Sequence, residues 1–555
     1  MRYVFILLMM GCGVWPLATQ QPEKKKPLSI HGSAALSFGT FTSQNFPGRQ
    51  PSFFCALHGN PVLTAYGVPM PVNAMLSTQT SSINAPFSQL GISPNFKWMK
   101  IHAGVRNLSL SPFSIAGHTF LGGAVEMNPG VFRFAVLGGR FQKAREADSS
   151  GIFRLRPAYK RVGYGFKIGL GKTRNYVDLI YFRAKDDSTS ISNIARQYGN
   201  LTPDENLVLG LSSRFALGKR LSMQLDGGAS LYTQDIRTKL WDESEDGDLA
   251  ELQRRISPFF KARLGTSLHF AGEAALRYQS RPFQLGLVYR RVEPEYRSMG
   301  AWFFQTDVQQ ITVNPGLVLR KGKTRIQSRV GWQTDNLLRQ KPAKSQRLIG
   351  GLSLSLNPTE RFGIDIQVNN FQFTQENRYL NSDSLRLQQA VRFLNVSPHW
   401  MRRSGDKTYT WNAAVNYQLS NDYNPYTRED LRSDFIFGQL QWNLQHQVKG
   451  YNAGLGMNAR FNKNGVAAED QSWGLTANGG KLIAKEKVQI QANVQYSLNL
   501  RAGNVDGYSA GGGGGISYKA VKSTRLYLNT YYLSNRISER KYSFLNTSGG
   551  VEYTF

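Results

Sequence analysis

Between residues 488 and 500 the chain divides into two alternating sets. One set is Gln489, Gln491, Asn493, Gln495, Ser497 and Asn499; the other is Val488, Ile490, Ala492, Val494, Tyr496, Leu498 and Leu500. A helix would mix these sets, because its faces repeat every three to four residues. A strand separates them completely. The split recurs. Phe362, Ile364, Ile366 and Val368 oppose Gly363, Asp365, Gln367 and Asn369; Tyr409, Trp411, Ala413, Val415, Tyr417 and Leu419 oppose Thr410, Asn412, Ala414, Asn416 and Gln418. The expected unit is therefore a strand with one apolar and one wet face.

The strands read as hairpins. Residues 207–217 run into Gly218-Lys219-Arg220 and return over 221–231. Residues 311–319 turn at Arg320-Lys321-Gly322-Lys323, and 162–170 turn at Gly171-Lys172-Thr173. Longer polar segments, such as 184–205, 233–254, 374–385 and 421–431, lie between the hairpins. Short and long connections thus alternate, as in transmembrane barrels with short periplasmic turns and longer extracellular loops. Past the N-terminus no run of 18 apolar residues exists. Any membrane crossing must use strands that close on themselves, since lipid tolerates no unpaired edge.

The first residues read as a secretory signal. Met1-Arg2 is a minimal basic start, residues 3–10 (YVFILLMM) are apolar, and small residues lead to Gln20-Gln21. Such a run is too short to span a bilayer as a helix. Cleavage leaves Cys55 as a lone thiol, which excludes an internal disulfide and a cysteine-based zinc site. The expected organisation is a signal peptide over 1–20 and an N-terminal segment over 21–96 with one or two strands and a plug or constriction. The barrel proper is expected over 97–555. About 22 strands fall between Phe96 and the C-terminus, and two weaker candidates precede them at 30–41 and 72–80. The fold expected is all-β: a single transmembrane antiparallel up-and-down barrel of about 24 strands, within a range of about 22–26.

A soluble array of β-sandwiches would show linkers every hundred residues or so. The texture instead stays uniform from residue 97 onward, with Tyr, Phe and Trp toward the strand ends, as suits aromatic girdles at two lipid interfaces. In the last strand Val551, Tyr553 and Phe555 lie on the apolar side. This ending resembles the C-terminal signal by which outer-membrane proteins reach their assembly machinery. Residues 87–140 include Gly91-Ile92-Ser93-Pro94, Lys97-Trp98, Ser111-Pro112-Phe113, Ala116-Gly117-His118 and Asn128-Pro129-Gly130. On these residues the chain resembles the outer-membrane barrels of Bacteroidota. The resemblance implies a bacterial outer-membrane location, with membrane lipid and the assembly machinery as partners.

Lys and Arg number 67 against 37 Asp and Glu, a formal charge of +30. The distribution argues against nucleic acid as a partner. Part of the charge sits in the short turns, as at Lys172, Lys219, Arg220, Lys321, Lys323, Lys449 and Lys522. Another part falls by parity on the polar faces: Arg133, Lys167, Arg214, Arg263, Arg277, Arg290, Arg325, Arg329, Arg392 and Arg460. A lumen lined by excess positive charge concentrates anions and repels cations. An equally weighted reading pairs these groups with lumenal acids or an inward-folded loop, where they stiffen the barrel. The acidic run 242–248 is read as a solvated loop.

Motifs for chemistry fail on context. Gly507-Tyr508-Ser509-Ala510-Gly511 matches G-x-S-x-G but continues into a strand and not a helix. Gly169-Leu170-Gly171-Lys172-Thr173 has Phe166 where a phosphate loop needs glycine. No two of the seven histidines stand two or four residues apart, so no metal site, cofactor or catalytic residue is expected. The expected function is a porin-like channel for small polar or anionic solutes. The alternative is a barrel component or anchor of a secretion or surface-display complex, with a protein partner at the cell surface or in the periplasm. An unplugged barrel of this size would be hazardous to its cell, so loops or the N-terminal segment are expected to constrict it.

Overall fold

In the computed structural model, the structure describes residues 27–45, 52–78, 89–147, 157–192, 201–241, 257–301, 305–377, 387–424, 426, 432–538 and 540–555. Residues 1–20, expected to be a signal peptide, and the acidic run 242–248 lie outside these. Among the described residues, 26 antiparallel strands form one closed ring. Each strand pairs with its neighbours in sequence, and the first, Ser33–Gln44, pairs with the last, Arg540–Thr554. Leu36 sits opposite Val551 and Phe38 opposite Gly549. Beyond that seam, the Phe555 N–H donates to the Gly32 carbonyl at 2.9 Å. Closure satisfies the backbone of every strand without an edge, which is the condition for a sheet in hydrocarbon.

Alternation sets the two faces. Val162, Tyr164, Phe166, Ile168 and Leu170 point outward and are exposed, whereas Gly163 and Gly165 are buried on the lumen side. Tyr and Trp gather at both ends of the outer band. Trp400 and Trp411 lie 4.4 Å apart toward the short-turn end, and Trp473 and Tyr496 are exposed toward the other. The closed antiparallel ring with this exterior is an outer-membrane barrel, and the chain belongs to the bacterial outer membrane.

The ring exceeds the expected count of about 24 by two strands, both from the N-terminal segment. Phe53–Gly59 pairs with Ser33–Gln44, and Gln89–Ile92 joins Val68–Ser77 to Met99–Asn107. In the first, Phe54 and Ala56 face the lumen, so both faces are apolar and the contrast vanishes. The second has only four residues, too few to show a period. Ser33–Gln44, Phe53–Gly59, Val68–Ser77 and Gln89–Ile92 thus supply wall, and the ring begins at Ser33 and not at residue 97. Leu28–His31, Val62–Ala65 and the start of Val68–Ser77 form a small sheet continuing from the turn end.

Chain direction puts most short turns at one end and nearly every long connection at the other. The alternation is not strict. Arg501 to Asn504 and Ile537 to Arg540 are loop-end connections of only two residues. The lumen also has contents. The connection between Met99–Asn107 and Thr119–Met127, and the one following Phe283–Val292, both fold inward and touch. They form a short parallel bridge, Gly300 to Ile115 and Ala301 to Ala116.

Candidate functional site

The inward connections share a small apolar core with the wall. Leu108, Leu110 and Ile115 from the first and Met299 from the second pack with Phe120, Leu137, Phe141, Ile180, Phe182 and Val208 of the strands. Phe113 and Tyr296 form a second cluster with Ala271, Val292 and Val308. Their rings meet edge to face at 6.3 Å, and the Tyr296 hydroxyl donates to the Phe113 carbonyl at 2.6 Å. Burial pushes the Tyr296 phenol well up, so it remains a neutral donor.

Polar groups tie these connections down. The Asn206 amide donates to Ser230 Oγ at 2.8 Å, and Asn206 Oδ1 accepts the Met299 N–H at 3.0 Å. Ser230 donates to the Arg297 carbonyl at 2.6 Å, and the Ser298 hydroxyl donates to the Ser114 carbonyl. Arg297 lies over the Tyr232 ring at 4.9 Å while donating to its hydroxyl at 3.1 Å. Asn206, Ser230 and Thr233 are fully buried, and buried polar groups need such partners. The two connections are therefore fixed parts of the lumen on one side of the ring.

Eight of the ten basic residues assigned by parity register with the lumen face: Arg133, Lys167, Arg214, Arg277, Arg290, Arg325, Arg329 and Arg460. Arg133 makes a bidentate pair with Asp178 at 2.7 and 2.9 Å, and Lys167 Nζ stands 3.7 Å from the same carboxylate. A β-carbon on Gly169 would lie 2.0 Å from Asp178 Oδ1. Only glycine there lets the carboxylate lie flat between its two cations. Arg290 reaches Glu273 at 3.4 Å. Among the described residues, Arg214, Arg277, Arg325, Arg329 and Arg460 make no ion pair.

Two assignments are corrected. Arg392 sits opposite Leu419 and one step from Leu394, which lies opposite Tyr417, so it points outward near the loop end. There it donates to the Tyr423 hydroxyl at 3.2 Å. Its neighbours Val391 and Phe393 face inward, and this reversal misled the parity reading. Arg263 lies beyond the ladder in a loop-end hairpin, bridged to Leu240 and donating to the Thr238 carbonyl at 2.6 Å. Sequence reasoning also missed Arg161, which faces the lumen and pairs with Asp186 at 2.8 and 3.0 Å. Its place opposite Asp186 in a hairpin register was the available signal.

The wall of the C-terminal strands is different. Asn and Gln side chains lie across glycines of the neighbouring strand. A β-carbon on Gly454 would meet both Asn443 and Asn478 at 2.6 Å, and one on Gly515 would meet Asn529 at 2.3 Å. Gly511, Gly513 and Gly515 face the lumen in this pattern, which accounts for the run that mimicked a nucleophile elbow. Amides lying flat leave a smooth polar surface, with one hollow of about 440 Å³ edged by Asn452, Asn478, Gln491 and Asn529.

One chain of hydrogen bonds has the composition of a catalytic relay. Ser93 Oγ lies 2.8 Å from His102 Nδ1, and His102 Nε2 lies 2.9 Å from Glu126 Oε1. Ser93 is only 5% exposed, and its own N–H is bonded to the Pro71 carbonyl. A nucleophile needs room beside it for the reacting atom, so this chain works as a buried strut between the turn end and two strands. Sequence spacing gave no sign of it, because the three residues come from separate segments.

Solved outer-membrane barrels are similar to the chain in fold. The P pilus usher (PapC) translocation pore covers 94% of this chain and 100% of its own, at 11% identity and a TM-score of 0.37. The outer membrane protein opdK from Pseudomonas aeruginosa covers 64% of this chain and 94% of its own, at 12% identity and a TM-score of 0.28. OprD from the same organism covers 71% and 93%, at 8% identity and a TM-score of 0.29. No protein-family model and no curated protein matches the chain.

Proposed function

We propose that the chain is a diffusion channel for small hydrophilic solutes, with a preference for anions. The observation that carries this is the imbalance of the wall. Of the lumenal acids, Asp178, Asp186 and Glu273 are matched by Arg133, Arg161 and Arg290, while Asp226, Asp365 and Glu552 make no ion pair among the described residues and are outnumbered by the unmatched arginines. Arg214, Arg277, Arg325, Arg329 and Arg460 stand on the same face without carboxylate partners among the described residues. Unmatched cations along a water-filled wall raise the local anion concentration. The inward connections support passage of small solutes over folded proteins, since they are fastened into the wall by buried hydrogen bonds.

Planar-bilayer recording of the purified barrel under a potassium chloride gradient tests this. The expected result is stable conductance with a reversal potential displaced toward the chloride equilibrium value. A silent barrel, or displacement toward the potassium value, would refute it.

A further inference from the structure

Against a lining dominated by Asn, Gln, Ser and Gly, five phenylalanines face the lumen on three strands. Phe371 and Phe373 lie on Phe362–Asn377, Phe393 on Leu387–Ser404, and Phe435 and Phe437 on Ser433–His446. Register fixes their direction. Phe371 is opposite Ile349 and Val391, one step from the outward pair Leu348 and Gln372. Phe393 is opposite Asn369 and Gln418, and Phe437 is opposite Asn416 and Arg460. Phe371 is 38% exposed in the full chain. Phenyl rings on a wetted face are costly to leave bare.

Cations bracket the strip. Arg347 lies over the rings of Phe373 and Phe371 at 5.2 and 5.7 Å, and makes no ion pair among the described residues. Arg329 shares a register row with Gly351, Asn369 and Phe393. Beside it is a hollow of about 400 Å³ bounded by Asn314, Arg329, Gly351, Gln367 and Asn369. The side-chain-free Gly351 forms part of that floor. Arg460 closes the far end opposite Phe437. The lumenal acids nearest the strip are Asp365, two residues from Gln367 and in the register row of Arg325, and Asp422, which lies opposite Gln389 and already accepts the Asn424 N–H at 3.0 Å; Arg325, Arg329 and Arg347 outnumber them on this wall.

We propose that this strip is a binding site for organic anions with a flat apolar body, of the aromatic carboxylate class. The carboxylate sits in the hollow against Arg329, Asn314 and Gln367, and the ring lies on Phe393 and Phe371. Three strand spacings separate Arg329 from Phe393, roughly 14 Å between backbones. The long arginine side chain shortens that gap to the length of a two-ring acid. The site names a substrate class for the channel proposed above and rests on that reading, but its occupancy is measured without conduction.

The test is equilibrium dialysis of 2-naphthoate against the folded full-length barrel in detergent, with a micelle blank, alongside acetate. The expected result is saturable naphthoate binding with no saturable acetate binding. Binding should weaken about tenfold in Phe393→Ala and again in Arg329→Gln. The Asn493→Ala variant, five strands further along the wall from Phe393, is expected to bind as the parent does. Equal binding of acetate and naphthoate, or undiminished naphthoate binding in a folded Phe393→Ala/Phe371→Ala double variant, would overturn the site. Resistance of each barrel to unfolding in cold SDS checks the fold. If naphthoate binds as expected to a barrel that passes no current, the site stands and the channel reading falls.

Discussion

Replacing Phe113 by alanine separates the lumen's contents from its wall. The side chain is fully buried, meets Tyr296 edge to face and carries Arg290 over its ring at 5.4 Å. Truncating a buried phenylalanine costs about 3–5 kcal/mol. The ring joins an inward connection to the wall residues Ala271, Val292 and Val308, so this loss falls on the docking of residues 108–118 and 293–301 and spares the ladder. Their undocked population should rise by roughly two to four orders of magnitude, at about 1.4 kcal/mol per tenfold. Hydrogen exchange reads that directly. The Leu110 and Ser114 amides, bonded to Ile115 and Ser111 carbonyls, should lose protection by that factor, while Leu209 and Leu225 in the wall keep theirs. Tyr296→Phe removes one buried hydrogen bond, worth about 1 kcal/mol, and should give about a fivefold loss. The double variant should fall short of the sum, because the two side chains touch. Unchanged exchange at Leu110 and Ser114 in a folded Phe113→Ala barrel would show that Phe113 does not hold the connections.

Three further outcomes follow from the lumen wall. Asp178→Asn frees Arg133 and Lys167; an ion about 10 Å away feels one unit charge as about 0.15 kcal/mol at 0.1 M salt. The anion-to-cation permeability ratio should therefore rise about 1.7-fold at that ionic strength, and more in dilute salt; an unchanged reversal potential would remove Asp178 from selectivity. Gly515→Val places a β-carbon against Asn529 and Gln491 and should lift both amides off the wall, lowering single-channel conductance, whereas Gly514→Val faces lipid and should not. At the loop end, burial raises the Asp307 carboxyl, but Lys341 at 2.6 Å and the Leu337 N–H outweigh it and hold it below the usual range. Stability from a depressed carboxyl is present above its unfolded value, near pH 4, and is lost as pH falls through the folded one. Protection of the Leu337 amide should therefore drop below about pH 4 and become flat in Asp307→Asn; a pH-dependent drop that persists in the variant would place the effect elsewhere.

The wall was legible because lipid and water impose opposite demands on successive residues, and a period of two cannot slip without exposing the wrong face. That logic gave strand direction, hairpin register and the lumen side for residues as distant as Arg133 and Arg460. It gave nothing about what fills the lumen. Phe113 and Ile115 lie in a stretch with no periodicity, and their burial depends on Tyr296 and Gly300, far along the chain. Hydrogen bonds from Asn206 to Ser230 and Met299 likewise join three segments that share no local pattern.

The places where alternation fails share a physical cause. At 53–59, at 371–373 and at 391–393 apolar residues occupy the face that should be wet. In a barrel, an inward apolar residue needs something in the lumen to meet it. For Phe120, Leu137 and Phe182 the partner is the chain itself, through Leu110, Ile115 and Met299. For Phe371 the described chain supplies its cross-strand neighbours Ile349 and Val391 and the Arg347 guanidinium, with nothing folded over it, and the ring remains 38% exposed. A local rule broken without an internal compensation marks a functional site more often than a defect. The break at Phe371 and Phe393 that turned Arg392 outward is therefore the same feature that argues for a ligand on that wall.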